Sequence, residues 1–400
     1  MIDTHRANPV SRNAPVRILH LITTLDVGGA EVMLLRLLAA LDPERFSNRV
    51  VCMAGPGEIG GRIEAGGIPV TYLRFRPQEI PAFGIGKWFA LLRAFRPDIL
   101  QAWMYHANVF SLSAYFLRNR PRLFWNIQAS GRSPSEFKPF TRDLIRVSRY
   151  FSGCPEAVII NSRKGVSDHM KMGYRREKIH YIPNGFDLAA HVPPTDEERK
   201  RIRQKLNVSD DAFCVGMFAR YHPVKDHRSA LLAARFLREW GYRARFFFAG
   251  AGVDPGNRAF WDMVSGMGLA ETVRLLGFRR DVPELMSGMD TVISCSRSEG
   301  LSNVIGEAMA TGIPCVVTDV GDSARIVGNT GRVVPPEDPA ALALALAEIM
   351  EMPHASRNRL GNLARERIRS GYSMEMVAKA YADRYECTDA RDAAGGVFHE

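Results

Sequence analysis

The chain has 400 residues, of which 46% are hydrophobic and 24% are charged. This is an ordinary globular composition, which excludes a disordered or fibrous protein, and the length predicts two or three domains. The six cysteines include no Cys-x-x-Cys pair, which argues against a disulfide framework and against a zinc finger. Scattered cysteines favour a reducing compartment, so we expect a cytoplasmic protein.

The net charge of +10 is concentrated in the first half of the chain. Residues 1–186 carry 26 Lys and Arg against 14 Asp and Glu, whereas residues 187–400 carry 27 against 29. This asymmetry favours an anionic partner for the first half, such as a lipid surface, a lipid-phosphate acceptor or nucleic acid. The N-terminus lacks the apolar segment of a secretory signal, and the longest uncharged stretch, 99–117, is too polar for a membrane-spanning helix.

Short apolar, β-rich runs alternate with amphipathic stretches through the first half. The predicted strands are 16–23, 49–54, 68–73, 98–103, 122–127 and 157–161. Helical patterns such as 30–41 and 106–118 lie between them. Strands that alternate with helices indicate βαβ units and a parallel sheet. We expect this α/β domain to span residues 15–186, after a flexible N-terminus of residues 1–14.

The second half repeats this architecture without repeating the sequence. The predicted strands are 212–219, 244–250, 272–277, 291–296 and 314–319. The boundary lies near 182–200, where Pro and Gly cluster before a capped helix start at Thr195. Two facing, doubly wound, Rossmann-like domains would enclose a cleft between the carboxyl ends of their strands. The second domain would span 187–371, followed by a helix at 372–386 and a frayed tail at 387–400.

The most informative stretch is 296–319, with the sequence SRSEGLSNVIGEAMATGIPCVVTD. A buried strand ends in a polar loop, and a helix starts near Ser302 and Asn303, where free N–H groups can bind a phosphate. Glu299 lies on the loop and Glu307 lies in the helix. Carboxylates repel phosphate but accept hydrogen bonds from sugar hydroxyls. The pattern therefore suits a nucleotide sugar, in which a diphosphate joins two sugar rings.

This stretch, with its two glutamates spaced as E-x7-E, resembles the donor-site signature of the family 4 retaining glycosyltransferases. Four other segments resemble family motifs in the same order: DVGGAEVMLLRLLAAL (26–41), NGFD (184–187), ARYHPVKDH (219–227) and GRVVPPEDP (331–339), the last matching the segment that follows the final strand. The resemblance covers nearly the whole chain. It implies the GT-B fold of two facing Rossmann-like domains, with the final helix, 372–386, packed back on the first domain.

The resemblance also implies roles in binding the donor. Glu307 would bind the ribose hydroxyls, and Glu299 would bind the hydroxyls of the transferred sugar. Arg220 and Lys225 would hold the diphosphate and neutralise the charge that builds on the leaving group. The amides of Leu301, Ser302 and Asn303 would complete the phosphate site.

Three further residues are assigned to the cleft. Gly28 and Gly29 follow the first strand, and their missing side chains would allow the backbone to approach a phosphate or an acceptor closely. His106 follows strand 98–103 and resembles the family's active-site histidine, which contacts the donor sugar. The chain contains no D-x-D motif and no His/Cys cluster with metal spacing, so we expect a metal-independent enzyme without a cofactor.

Alternative interpretations remain open at this stage. The loop GAGVDPG (250–256) is similar to a dinucleotide-binding fingerprint, but its spacing and Pro255 disfavour a nicotinamide site. A nucleotide-sugar epimerase or a non-catalytic nucleotide-sugar binding protein is compatible with the same fold. The segment VGDSARIVG (320–328) departs from the family's usual Gly-Gly pattern followed by Glu.

The segment FKPFTRDLIRVSRYF (137–151) predicts a basic amphipathic helix. Such a helix can lie on an anionic membrane, which would make the protein peripheral at the inner membrane face. It can equally pack on the sheet with its arginines in solvent. The leading hypothesis from the whole sequence is a glycosyltransferase of cell-surface polysaccharide or glycolipid biosynthesis that does not bind nucleic acid.

Overall fold

The computed structural model describes residues 14–76, 82–129 and 139–387, and this part of the chain forms two parallel sheets flanked by helices. The expected flexible N-terminus and frayed tail lie outside the described residues, apart from residues 14 and 387. The α/β fold class predicted from the alternating strands and helices is confirmed.

The first sheet contains seven parallel strands in the order β3-β2-β1-β4-β5-β6-β7. The strands are β1 (Val16–Ile22), β2 (Phe46–Cys52), β3 (Val70–Tyr72), β4 (Ile99–Trp103), β5 (Arg122–Ile127), β6 (Ala157–Ile160) and β7 (Ile179–Tyr181). The strand order reverses beside β1. This topology is doubly wound and opens a crevice at the carboxyl ends of β1 and β4.

The second sheet contains six parallel strands in the order β10-β9-β8-β11-β12-β13. The strands are β8 (Phe213–Phe218), β9 (Ala244–Ala249), β10 (Val273–Leu275), β11 (Thr291–Ser294), β12 (Cys315–Thr318) and β13 (Arg332–Val334). Its switch point lies between β8 and β11. The loops that carry the Arg220–Lys225 segment and Glu299 follow these two strands.

Helices cover both faces of each sheet. Those of the first domain are α1 (Gly29–Ala40), α2 (Glu58–Ala65), α3 (Ala82–Phe95), α4 (Met104–Ser111), α5 (Pro139–Tyr150) and α6 (Arg163–Lys171). Those that follow are α7 (Asp196–Lys205), α8 (His227–Glu239), α9 (Arg258–Gly266), α10 (Val282–Ser287), α11 (Asn303–Ala310), α12 (Ser323–Val327), α13 (Pro339–Glu351), α14 (His354–Gly371) and α15 (Met374–Glu386). Thr195 caps α7 in a capping box with Glu198, as its position before the helix predicted.

The sequence pattern missed two strands and one helix, and it described two segments, 331–339 and 106–118, differently from the structure. Strands β7 and β13 have three residues each, and no longer apolar run surrounds them, unlike the equally short edge strands β3 and β10, which lie within the predicted runs 68–73 and 272–277. The placement of 331–339 after the last strand was wrong, because Arg332–Val334 pairs with β12. Helix α14 was also missed. The expected helix 106–118 is split into α4 and a 3₁₀ segment, Leu112–Phe116.

Helix α15 returns to the first sheet and completes its core. Phe186 and Ser373 form a parallel bridge where the chain crosses between the domains. Beyond this crossing, Tyr381 is 1% exposed and stacks on Trp103, with ring centroids 6.4 Å apart. The Asn126 amide donates a 2.5 Å hydrogen bond to the Tyr381 hydroxyl. The last helix is therefore a structural part of the first domain.

We predict that Tyr381→Ala lowers the free energy of unfolding by about 3–5 kcal/mol, because it removes a buried ring and leaves a cavity. Urea denaturation followed by tryptophan fluorescence measures the change. The control is Lys379→Ala on the same helix, which removes only an exposed ion pair with Asp383 and should cost less than about 1 kcal/mol. Equal destabilisation by the two variants would contradict the packing of α15 on the first sheet.

Candidate functional site

The carboxyl ends of the two sheets face each other across a cleft. On one side, β1 leads into α1 and β4 leads into α4. On the other side, α11 and α12 follow β11 and β12. The Asn303 side chain at the start of α11 donates a 3.5 Å hydrogen bond to the Gly29 carbonyl at the start of α1. The N-termini of these two helices therefore meet within the cleft.

Neither helix N-terminus is closed by the side chain of its N-cap residue. Gly28 has no side chain, and Ser302 makes no side-chain cap hydrogen bond to α11. The first N–H groups of a helix need acceptors, and the helix dipole makes this end electropositive. The predicted phosphate site at Leu301, Ser302 and Asn303 thus has suitable geometry for an anion.

Gly28 packs closely against an acidic side chain. A Cβ at this position would lie 2.3 Å from an oxygen of Glu31, whose carboxylate packs against it. The Thr24 hydroxyl donates a 2.9 Å hydrogen bond to Glu31, and burial raises the pKa of this carboxyl group. Gly28 therefore lies against an acidic side chain, which favours hydroxyl groups over phosphate at this end of the cleft, whereas a Cβ at Gly29 would meet only the Asn303 amide at 3.7 Å.

Glu307 is paired with a cation from the opposite domain. Arg36 on α1 forms an ion pair with Oε1 of Glu307, and the two side chains are 15% and 16% exposed. The Arg36 guanidinium also lies over the ring of Phe186, 5.6 Å from its centroid. A carboxylate has about four lone-pair sites, so Glu307 can accept ribose hydroxyls while Arg36 holds its orientation.

Glu299, the predicted ligand of the transferred sugar, is paired with Lys225, a predicted ligand of the diphosphate. The ion pair joins Nζ of Lys225 to Oε1 of Glu299, and the Ser296 hydroxyl donates a 2.6 Å hydrogen bond to the same oxygen. Lys225 ends the short 3₁₀ segment Pro223–Lys225 after β8. The structure thus places a cation beside the carboxylate on the loop that leads to α11.

Arg220 lies at the carboxyl edge of the second sheet, and His106 lies at the carboxyl edge of the first sheet. Arg220 is exposed on the loop after β8. His106 is the third residue of α4, and its ring centroid lies 5.8 Å from that of Phe140. Burial lowers the pKa of His106, so its imidazole is mainly neutral at pH 7 and can both donate and accept a hydrogen bond.

The turn that positions His106 is strained. Met104 starts α4 with φ of +70°, in the left-handed region that non-glycine residues rarely occupy. Its Sδ accepts a 3.3 Å hydrogen bond from the backbone N–H of Gln128, which connects the end of β4 to the end of β5. Strain of this kind is common at functional sites, because the surrounding structure fixes an exposed side chain in a defined place.

A chain of amides joins the two domains beside this site. Asn161 donates a 3.3 Å hydrogen bond to Asn184, which donates a 2.9 Å hydrogen bond to Asn303. Asn184 belongs to the NGFD segment that the sequence resemblance singled out, whereas Asn161 and Arg36 were missed. Only tertiary structure reveals these two, since nothing in their local sequence pattern distinguishes them.

No three His, Cys, Asp or Glu side chains in residues 14–76, 82–129 and 139–387 are arranged to hold a metal ion. Within the same ranges, no helix is both long and apolar enough to cross a membrane.

Known proteins resemble this chain in sequence and in fold. The family pattern described as Glycosyl transferases group 1 matches residues 210–352, and that described as Glycosyltransferase Family 4 matches residues 27–190. EpsF of Bacillus subtilis is 34% identical over 36% of this chain and 37% of its own length. The lipopolysaccharide core biosynthesis mannosyltransferase LpsB of Rhizobium meliloti is 28% identical over 73% of this chain and 81% of its own length.

The fold comparison agrees with these matches. The crystal structure of Anabaena HepE in complex with UDP-glucose superposes with a TM-score of 0.79 and 23% identity, covering 92% of this chain and 98% of that one. At this level of identity the comparison establishes the fold, which is the two-domain arrangement predicted from the sequence. The matched sequence patterns cover most of both domains.

We predict that Arg36→Met destabilises the protein by about 1–3 kcal/mol, because it leaves the largely buried Glu307 carboxylate without its cation. Glu307→Gln should cost less, since a neutral amide tolerates burial better than an unpaired charge. The double variant should then recover most of the loss, giving a coupling free energy of at least about 0.5 kcal/mol in urea denaturation. Additive effects would show that the two side chains do not interact.

Proposed function

The chain belongs to the family 4, group 1 glycosyltransferases, and from this membership we propose that it transfers a sugar from a nucleoside diphosphate sugar to a saccharide or lipid-linked acceptor. The observation that carries the proposal is the pairing of Glu299 with Lys225 and of Glu307 with Arg36 beside the open N-terminus of α11. This arrangement offers acceptors for two sugar rings with an anion site between them.

The donor would lie along the second domain. Glu307 accepts the ribose hydroxyls, and the first amides of α11 bind the diphosphate. Lys225 and Arg220 neutralise the negative charge that grows on the leaving diphosphate as the glycosidic bond breaks. These cations and the helix dipole take the part that a metal ion has in other transferases, so we propose a metal-independent reaction. The UDP-glucose complex of HepE supports a uridine diphosphate donor.

The acceptor would approach from the first domain, and the reaction would retain the anomeric configuration. The bond from the anomeric carbon to the diphosphate oxygen breaks, and an acceptor hydroxyl forms the new bond on the same face. Its proton passes to the departing phosphate oxygen, so that no protein carboxylate acts as a nucleophile. Glu299 and the neutral His106 orient the transferred sugar, since reactivity depends on alignment within about 1 Å.

Two alternative functions can be separated from transfer by simple incubations. An epimerase would change the sugar of UDP-glucose without an acceptor, and it would need a carboxyl group or a histidine free to exchange protons. Glu299 and Glu307 are both paired with cations, which favours sugar binding over proton exchange at these two carboxylates. A non-catalytic binding protein would bind UDP but would release none from a UDP-sugar in the presence of membrane extract.

The relatives and the surface of the first domain support a place at a membrane. LpsB is named for lipopolysaccharide core biosynthesis, so we propose a role in surface polysaccharide or glycolipid assembly on the cytoplasmic face. Ile145 packs α5 into the core. Four large apolar side chains of α5 and the following turn nevertheless remain exposed: Phe140, Val147, Tyr150 and Phe151. The exposed Arg146 and Arg149 lie among them, and such a surface suits anionic lipid. Phe137 and Lys138 of the predicted segment lie outside the described residues.

We predict that the protein binds phosphatidylglycerol vesicles and that binding falls steeply between low salt and about 0.3 M salt, because screening weakens the arginine contribution. Phe140→Ser with Tyr150→Ser should reduce vesicle co-sedimentation. The control is Leu344→Ser, which changes an exposed apolar residue on α13 of the second domain and should leave binding unchanged. Binding that is absent or insensitive to salt would show that these arginines are solvated surface residues that do not bind anionic lipid.

We predict different effects for the two glutamates. Glu307→Gln should weaken binding of UDP and of UDP-sugar alike by roughly 1–2 kcal/mol, because the ribose hydrogen bonds lose their charge assistance. Glu299→Gln should leave UDP affinity almost unchanged, because UDP has no transferred sugar, and should lower turnover. Calorimetric titration and UDP release measure these effects.

The matched control for both substitutions is Glu239→Gln, which changes an exposed glutamate of the same domain that pairs with Arg235 on α8. It should change neither affinity nor turnover. Wild-type UDP affinity together with full turnover in both Glu307→Gln and Glu299→Gln would refute the assignment of this segment to the donor site.

A further inference from the structure

The segment at which this sequence departs from the family pattern contains a buried carboxylate. Asp322 stands at the start of α12, immediately after Gly321, and only 3% of its surface is exposed. Burial raises the pKa of this carboxyl group, while backbone hydrogen bonds and the nearby Arg325 and Arg163 lower it. A buried carboxylate needs strong hydrogen-bond donors.

The donors come from the opposite domain. The backbone N–H of Arg163 donates to Oδ2 of Asp322 at 2.7 Å, and the N–H of Lys164 donates to Oδ1 at 2.9 Å. These are the first two amides of α6. The third, Gly165, donates instead to Ser162, the N-cap residue of the helix itself. The first turn of α6 is thus capped partly from its own domain and partly from the other one.

Asp322 is also hydrogen-bonded to the loop that carries Glu299. The Asp322 N–H donates a 2.9 Å hydrogen bond to the Gly300 carbonyl. Gly321 has φ of +59°, and a Cβ there would lie 2.3 Å from the Glu299 carbonyl oxygen. The backbone of 321–322 therefore packs directly on the backbone of 299–300. A movement of α6 away from Asp322 would pull on the segment that positions Glu299.

We propose that Asp322 is a positioning residue: by capping α6 across the cleft it holds the two domains closed and fixes the loop on which Glu299 presents its carboxylate. The effect on catalysis rests on the proposed sugar transfer, whereas the effect on domain closure does not. The attraction is electrostatic as well as geometric, because an anion at a helix N-terminus is favoured by the helix dipole. Asp322 reaches the reacting sugar only through Glu299.

The test compares two caps of the same helix turn. Asp322→Ala removes the cap from the opposite domain, and Ser162→Ala removes the cap from within the first domain. Asp322→Asn keeps the size of the side chain but can accept only one of the two N–H groups well, so it serves as a milder variant if the alanine form folds poorly. Small-angle scattering of the full chain measures the radius of gyration, and UDP release from UDP-glucose measures turnover.

We expect Asp322→Ala to raise the radius of gyration by about 1 Å above the roughly 21 Å of a compact chain of this length. We expect turnover to fall at least about tenfold while the Kd for UDP changes less than about threefold, because the groups proposed to contact UDP, which are Glu307, Lys225 and the first amides of α11, lie on the second domain. Asp322→Asn should show a smaller change in the same direction. Ser162→Ala should lower thermal stability and leave the radius of gyration as in the wild type.

An unchanged radius of gyration in both Asp322 variants would overturn the proposal. An equal increase in Ser162→Ala would overturn it too, because Asp322 would then only stabilise α6. If the wild type binds no nucleoside diphosphate, the proposed function fails, while the scattering comparison still decides the role of Asp322 in closure.

Discussion

The chain passes between the two domains at Phe186 and again at Ser373. The main-chain hydrogen bonds between these two segments set the relative placement of the domains. The Phe186 N–H donates to the Tyr372 carbonyl, and the Met374 N–H donates to the Phe186 carbonyl, both at 2.9 Å. The ring of Phe186 is fully buried against Gly306, where a Cβ would lie 2.0 Å from Cζ. Helix α11 is therefore anchored to the hinge one residue before Glu307, so the donor site and the domain connection are parts of one structure.

The charges of the cleft follow from this anchoring. Each glutamate of the E-x7-E pattern forms an ion pair with one cationic side chain, and the two cations come from different domains. Lys225 belongs to the same domain as Glu299, so this pair keeps its geometry when the domains move. Arg36 lies on the opposite domain from Glu307, so that pair depends on closure. Arg36 thus helps to orient Glu307 from the first domain, whereas Glu299 lies on the loop that contacts Asp322.

The basic character of the first half serves more than one purpose in the fold. Arg122 pairs with Glu156 and donates hydrogen bonds to main-chain carbonyls at the end of α15, which fastens the last helix to the first sheet. Arg36 serves the cleft. The arginines of α5 remain at the surface beside exposed aromatic rings. The α5 arginines therefore form a surface cluster that neither of these two internal roles uses.

The sequence by itself determined the class of fold and the donor motif. Alternating apolar runs and helix caps are local signals, because burial and hydrogen bonding within one element decide them, and eleven strands followed from such runs. The sequence also placed Lys225 and Glu299 in one site through a resemblance of motifs. It missed β7 and β13, because these three-residue strands are not part of a longer apolar run, whereas the equally short β3 and β10 are.

Only the tertiary structure decided which residues meet across the cleft. Arg36 and Glu307 are 271 positions apart, and Asp322 lies 159 positions from Arg163. No local periodicity encodes contacts of this kind, because they arise from the packing of two separate sheets about the hinge at Phe186. The departure at Asp322 was visible in the sequence as an irregularity, and its meaning follows from the helix that it caps in the opposite domain.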